Sequence, residues 1–399
     1  MKKSRFFEKN KIFNISRPTN IFPEITRNNK PAILLSPITK RKISRVLPFG
    51  VIWLVLGWFV LFIQETATRS ENLNPDSTIT LTPAVFAFAS LAVALIGFLV
   101  GILEVFWLGN RFRSRSFSRK LLYKLAFYSC FMLLVILIAY PLAAALELGA
   151  SPLNEAVMEK FWNFLSSVEF LSTMVAIAFS LFLSLFYSEI SDNIGHGVLM
   201  NFFTGKYHQP REEYRIFLFS DMKSSTSVAE SLGHARYFEF LRAYYSDFSD
   251  AIVRHSGEVY QYVGDEVIVS FTHANGVRGA NCIRCFFAMQ AALDKNAQWY
   301  MDTFGIVPEF KAALHVGRVT TGEIGALKKA IFFTGDVLNT TARMQALCNS
   351  YGVKVLISGE LLGDLPLDGR YTVAPLGTQD LKGREKPVDL FTVSPAAEM

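Results

Sequence analysis

Four apolar runs, at about 47–63, 83–106, 121–146 and 169–188, constrain this chain more than any other feature. A helix needs about 20 apolar residues to cross ~30 Å of hydrocarbon, so a chain with four such runs is expected to place them in lipid. The composition agrees, because 51% of the 399 residues are apolar and only 19% charged, which argues against disorder and against an ordinary, fully soluble enzyme. Four cysteines, Cys130, Cys282, Cys285 and Cys348, are too few and too irregularly spaced for a disulfide framework, so reduced thiols are expected. Cys282 and Cys285 have the spacing of half a zinc site, but no second pair follows, and a structural role in a helix is the simpler reading.

The net charge of +6 would suit nucleic acid if it were spread over a surface. It is not: residues 1–46 carry +10 and residues 109–120 a further +5, from Arg111, Arg113, Arg115, Arg119 and Lys120, so the remainder is net acidic. Basic clusters beside apolar spans face anionic lipid and set orientation, so no nucleic-acid partner is expected and membrane lipid is. The loops 64–82 and 147–168 are acid-rich, which puts both termini on the cytoplasmic side of a multi-pass cell (inner) membrane protein. The first 30 residues hold no sustained apolar stretch, so no cleaved secretion signal is expected. No ionisable residue falls at mid-depth; Glu104 and Lys124 lie near the cytoplasmic ends of the second and third spans, where pairing or snorkelling accommodates them. Pro141 is expected to kink the third span.

Beyond the fourth span, Ile190, Ile194, Val198 and Phe202 recur every four residues, the pattern of a helix running on over 189–203, though Gly195 and Gly197 weaken it. Residues 205–210 read as a linker, and a domain long enough to bury its own core follows. Its periodicity predicts a strand over 214–220, a helix over 235–255, a hairpin over 259–271 turning at Gly264-Asp265, and a helix over 274–298. A strand pair at 310–315 and 319–324 joined near Gly317, a strand at 331–334, a helix at 336–349 and a strand at 354–357 come next. Strands at 371–376 and 388–393 close the chain. That order contains β-α-β-β-α-β, an α+β ferredoxin-like split unit. The domains are therefore a basic tail 1–46, an all-α four-helix transmembrane domain 47–188, a helix and linker 189–212, and an α+β domain 213–394.

Asp221 follows the first strand and Asp265 sits at the tip of the next hairpin. In a split unit those strands can be neighbours, so the two carboxylates could share hard divalent cations. Taken singly, Asp221 reads as a helix cap and Asp265 as a turn residue. Asn339 and Arg343, four apart on one helix face, form a donor pair suited to ribose and phosphate oxygens, or else a solvated polar face.

Together, Phe219-Ser220-Asp221-Met222, Gly264-Asp265 and Gly335-Asp336 followed by Asn339 and Arg343 resemble the class III nucleotidyl cyclase catalytic domain, over roughly residues 213–394. The resemblance implies that Asp221 and Asp265, with the Met222 carbonyl, hold two Mg²⁺ or Mn²⁺ ions per site. It implies further that Asn339 orients the ribose, Arg343 stabilises the transition state and Lys382 binds the triphosphate. In that family the metal pair and the Asn/Arg pair come from opposite subunits, so a homodimer is implied. The family commonly selects adenine with a Lys four residues before the second metal Asp and an Asp, Thr or Ser seven before the Asn; here Gln261 and Phe332 stand there. ATP is favoured, because the run from Lys328 to Thr334 resembles bacterial membrane adenylate cyclases. The expected activity is conversion of ATP to 3′,5′-cyclic AMP and pyrophosphate for intracellular signalling. The alternatives are a guanylate or other nucleotide cyclase, or a catalytically silent cyclase-fold receptor.

Overall fold

The computed structural model describes residues 36–69, 79–109, 117–327, 329–384 and 386–396. The basic tail through residue 35, the loop residues Arg111, Arg113 and Arg115, the acidic residues Glu71 and Asp76, and Lys328 lie outside them.

The amino-terminal half is helical: α1 Pro37–Arg69, α2 Pro83–Leu103, α3 Phe117–Leu148, the short α4 Glu155–Leu165, α5 Val168–Ile194 and α6 His196–Phe203. Among these, α1, α2, α3 and α5 are long and apolar enough to cross a membrane. Local signals start them where hydropathy alone could not. Ser36 Oγ accepts from Thr39 N at 3.1 Å ahead of α1, and Thr82 Oγ1 accepts from Val85 N at 3.2 Å with Pro83 in the first turn of α2.

The first helix therefore begins ten residues before the expected apolar start at 47. Its polar first turns are held by neighbours, with Lys42 over the Phe106 ring at 4.6 Å and Arg45 paired to Asp192. The expected loop 147–168 contains α4, whose Val157, Phe161 and Phe164 recur at helical spacing and are buried behind an Asn154 cap. The expected run-on helix over 189–203 is interrupted at Gly195, whose φ of +96° ends α5 before α6 begins. α3 continues as helix through Pro141.

The bundle core contains Phe49, Trp53, Val100, Tyr128, Met132, Leu181 and Leu185. α1 and α2 approach so closely that a Cβ on Gly97 would lie 2.6 Å from Trp53 Cβ, the contact small residues permit between membrane helices. Outward residues such as Phe59, Leu95, Ile138 and Val175 are large, apolar and exposed. A π-helical turn over Glu104–Leu108 ends α2, and there Lys124 pairs with Glu104, Tyr128 Oη donates to Glu104 Oε2 at 3.2 Å, and Lys120 reaches Glu189 at 3.0 Å. Glu104 and Lys124 are thus paired and buried at the end of the span.

The second half follows as β1 Arg211–Met222, α7 Ser225–Leu232, α8 His234–Arg254, β2 Glu258–Val263, β3 Glu266–Thr272, α9 His273–Val277, α10 Asn281–Lys295 and α11 Ala297–Phe304. It ends with β4 Phe310–Ile324, β5 Ala330–Thr334, α12 Asp336–Tyr351, β6 Val355–Ser358, α13 Gly359–Asp364, β7 Tyr371–Gln379 and β8 Val388–Pro395. The strands form one sheet in the order β2-β3-β1-β4-β6-β8-β7, with β5 paired to β4. β1 is antiparallel to both β3 and β4, and β4 is parallel to β6.

Alternation along β1 serves two cores. Ile216 and Leu218 face Phe240, Tyr244, Phe248, Phe286 and Met289, from α8 and α10. Phe217 and Phe219 face Val319, Phe333 and Val337, beneath α12.

Two expectations fail here. The predicted pair at 310–315 and 319–324 is a single strand, because β1 pairs with β4 without a break from Arg211↔Thr321 to Met222↔Phe310. Gly317 makes no turn; its missing side chain admits α12, where an added Cβ would meet Val337 Cβ at 3.0 Å. The predicted helix over 274–298 is broken, with Gly279 and Ala280 at φ +56° and +55° separating α9 from α10.

Candidate active site

Asp221 lies one residue before the carboxy-terminal end of β1, on the face that carries Phe217 and Phe219. Ser220 pairs with Val267 on one side and Asp221 with Lys311 on the other, so the β2–β3 turn falls beside Asp221. In that turn Gly264 adopts φ +62°, leaving Asp265 between the closing pair Val263↔Glu266. The Asp221 charge acts on the Asp265 carboxyl across this corner. Asp221 caps no helix: α7 starts after Ser224, which holds a left-handed conformation and makes no side-chain cap.

This corner is overloaded with acid. Burial raises the Asp265 carboxyl above the ordinary aspartate range; the Ser225 hydroxyl opposes the shift and the Asp221 charge adds to it. Asp265 Oδ2 is buried without a hydrogen-bond donor. Burial, then Asp221 and Asp265, push neighbouring Glu266 up to about 7. The compensating cation is Lys311, whose buried Nζ lies 3.4 Å from Asp221 Oδ2.

Adjacent desolvated carboxylates with an unfilled oxygen suit a hard divalent cation, and Met222 can offer only its backbone, because its side chain points into the opposite core. Among the described residues no three acidic, His or Cys side chains could hold an ion by themselves. That fits Mg²⁺-type sites, which use one or two carboxylates and complete the shell with water and substrate phosphate.

The second group is on α12. Asn339 is exposed, while Arg343 is half-buried with its Nη1 buried and unpartnered. The loop after β7 crosses Arg343, since a Cβ on Gly383 would stand 3.5 Å from Arg343 Nη2. Lys382 is exposed on that loop, which is anchored by Arg384 through Glu360 at 2.7 Å and Asp336 at 3.9 Å.

Arg384 Nη1 also approaches His315 Nε2 at 3.4 Å. A guanidinium only donates, so Nε2 accepts and Nδ1–H donates to Ser358 Oγ at 2.8 Å. Burial lowers the His315 pKa to about 4, so the ring is neutral near pH 7.

Gln261 is exposed on edge strand β2 and Phe332 is exposed on β5. Their chain neighbours Tyr260 and Phe333 touch, with ring centroids 4.8 Å apart and Phe333 N donating to Tyr260 Oη at 3.3 Å.

Asp221 and Asp265 are thus brought together. Among the described residues, no hydrogen bond or ion pair joins either of them to Asn339, Arg343 or Lys382. Lys311, Glu266, Ser225 and Arg384 belong to the site or its supports and were not singled out by motif reading. The signal for Lys311 was strand register, which a reading that breaks β4 at Gly317 obscures.

Residues 207–394 match the family model described as the adenylate and guanylate cyclase catalytic domain. Adenylate cyclase 2 of Rhizobium meliloti (strain 1021) is 34% identical over 210 residues, covering 53% of this chain and 58% of that protein. Adenylate cyclase 1 of the same organism is 27% identical over 184 residues, covering 44% and 27%. The chain thus spans little more than half of the first relative and about a quarter of the second. Among solved structures, the adenylyl cyclase CyaB from P. aeruginosa aligns at 20% identity with a TM-score of 0.42, covering 47% of this chain and 97% of that one.

Proposed function

Because residues 207–394 match the family model of the adenylate and guanylate cyclase catalytic domain, we propose that this chain is a membrane-anchored cyclase. It converts ATP to 3′,5′-cyclic AMP and pyrophosphate at sites shared by two copies. The observation that carries the reading is the convergence of Asp221, near the end of β1, and Asp265, in the adjoining β2–β3 turn, with a buried Asp265 oxygen still lacking a donor. ATP is preferred over GTP because the relatives that align over this domain are named adenylate cyclases.

In the reaction the ribose 3′-oxygen attacks the α-phosphorus, its proton departs, and the bond to pyrophosphate breaks in line. Asp221 and Asp265, with the Met222 carbonyl, would hold two Mg²⁺ or Mn²⁺ ions at the triphosphate. Such ions acidify the 3′-hydroxyl and neutralise phosphate charge. Asn339 aligns the ribose, Arg343 faces the charge that builds on the transferred phosphoryl group, and Lys382 binds the leaving pyrophosphate. The unpartnered Arg343 Nη1 supports a ligand from outside its own chain, as a homodimer with interfacial sites requires. Gln261 and Phe332 read the base by hydrogen bonding and by stacking. The four long helices anchor the chain in the cell membrane with residues 207–394 on the cytoplasmic side.

The test is product analysis by mass spectrometry with each of the four nucleoside triphosphates and Mg²⁺ or Mn²⁺. Cyclic AMP and pyrophosphate are expected from ATP. Asp265→Ala is expected to lower kcat by about 10²–10³-fold or more, the scale for removing a principal electrostatic group. Turnover unchanged in Asp265→Ala would refute the assignment.

A further inference from the structure

Strand β2 carries a β-bulge, and the bulged residue is Tyr260. Val259 pairs with Val269 and Gln261 with Ile268, so one step along β3 is matched by two along β2. In an unbroken ladder Gln261 would oppose Val267, whose side chain belongs to the core under α8 and α10. The extra residue sets Gln261 opposite Ile268 instead, on the face of the sheet that carries Phe217, Phe219 and Val337 of α12. Tyr262 falls on the other face, where its ring centroid lies 4.5 Å from that of Tyr245 on α8.

Tyr260 is itself fixed. Half-buried, it packs against the cluster of Phe217, Phe219 and Phe333. Its ring centroid lies 4.8 Å from that of Phe333 at an interplanar angle of 67°, and its hydroxyl accepts from Phe333 N at 3.3 Å. Phe333 is anchored in turn by pairing with Thr321 and by the Phe217 ring at 5.5 Å. The contact joins edge strand β2 to β5, two strands that share no ladder.

A side-chain amide holds a donor and an acceptor and can present them in either order by turning over. Adenine offers a donor at N6 where guanine offers an acceptor at O6, so a glutamine tells the two apart only if its approach is fixed. The bulge and its strap to Phe333 supply that constraint. We propose that Tyr260 is a specificity-determining positioning residue, which commits the Gln261 amide to the base of the bound nucleoside triphosphate and sets the preference for adenine over guanine. The inference rests on the cyclase reading above, in which Gln261 meets the base.

The test measures kcat/KM for ATP and for GTP with the full chain in detergent and Mn²⁺. Tyr260→Val keeps a strand-forming residue but removes ring and hydroxyl, and it is expected to lower the ATP-to-GTP ratio of kcat/KM about tenfold, the scale of one or two hydrogen bonds. Tyr260→Phe keeps the ring contact and should lower the ratio by about threefold, the scale of the single bond from Phe333 N. Gln261→Ala alone should lower the ratio as far as Tyr260→Val does, and adding Tyr260→Val to it should lower the ratio no further, because both residues act on one contact. A role confined to packing would reduce turnover of both nucleotides alike. A ratio near one in the unmodified chain, an unchanged ratio in Tyr260→Val, or independent losses in the double variant would each overturn the proposal. If Tyr260→Val does not fold, Tyr260→Phe alone and on Gln261→Ala decides the question by the same criteria. Absence of cyclic product from either nucleotide in the unmodified chain would refute the cyclase reading and this inference with it, whereas product with an unmoved ratio refutes this inference alone.

Discussion

Among the described residues Arg215 is the largest fully buried side chain, and it is charged. Its guanidinium donates to Glu213 at 3.1 Å, Glu258 at 3.0 Å and Ser270 at 3.0 Å, and lies 4.9 Å from the centroid of the Phe333 ring. Glu258 is largely solvent-exposed, so Glu213 is the partner that compensates the desolvated charge. Breaking a buried pair from one side costs about 3–5 kcal/mol. Glu213 is itself partly exposed, which places Glu213→Ala near the lower figure. At about 2–4 °C per kcal/mol for a domain of this size, a drop of roughly 6–12 °C in the melting temperature is expected.

His315 gives a pH signature at the same scale. Its folded pKa of about 4 lies below the ordinary value near 6.5 because the ring is buried, with Glu360 only partly offsetting that. The unfolded chain therefore takes up a proton as pH falls through about 6.5, and the folded chain does not until about 4. Stability should fall across that window on acidification. His315→Gln should flatten the fall, as melting temperatures measured between pH 7 and pH 4 would reveal.

At the scale of elements, the proposed site depends on how α12 lies on β4. Gly317 stands beneath Val337, and the 3.0 Å approach is between Cβ positions fixed by the two backbones, so no side-chain rotation relieves it. Gly317→Ala should displace α12 or strain β4, at about 1–3 kcal/mol. Because α12 carries Asn339 and Arg343, kcat should fall together with the melting temperature. A variant that loses stability but keeps full kcat would show that α12 is not held by this contact.

The same contact explains a misread boundary. Glycine amid β-branched residues reads as a turn, whereas here it is a packing position within a continuous strand. Hairpin β2–β3 was legible because Gly264-Asp265 is a two-residue turn signal between alternating runs, and its cause is local. The break at Gly279 and Ala280 was not, because apolar spacing continues on both sides of it.

At the scale of the molecule, a shared site predicts complementation. Asp265→Ala and Arg343→Ala should each be nearly inactive as homodimers, but a mixed dimer keeps one intact site. With random pairing, half the dimers are mixed and each holds one site of two, so coexpression should restore about a quarter of wild-type activity. No recovery, with mixed dimers demonstrated by affinity tagging, would remove the interfacial site from the proposal.

Length and periodicity are local properties, and they alone determined the four long apolar helices, most strands of the second half and the pair of carboxylates at two strand ends. Tertiary structure decided what depends on residues remote in the chain. Lys311 stands beside Asp221 because two antiparallel strands share a register, Arg215 is buried where Glu258 and Ser270 meet it from β2 and β3, and the bundle encloses a cavity because side chains from five helices fail to fill it. Pairing, burial and voids are set by which distant segments come into contact, and no single stretch of sequence encodes them.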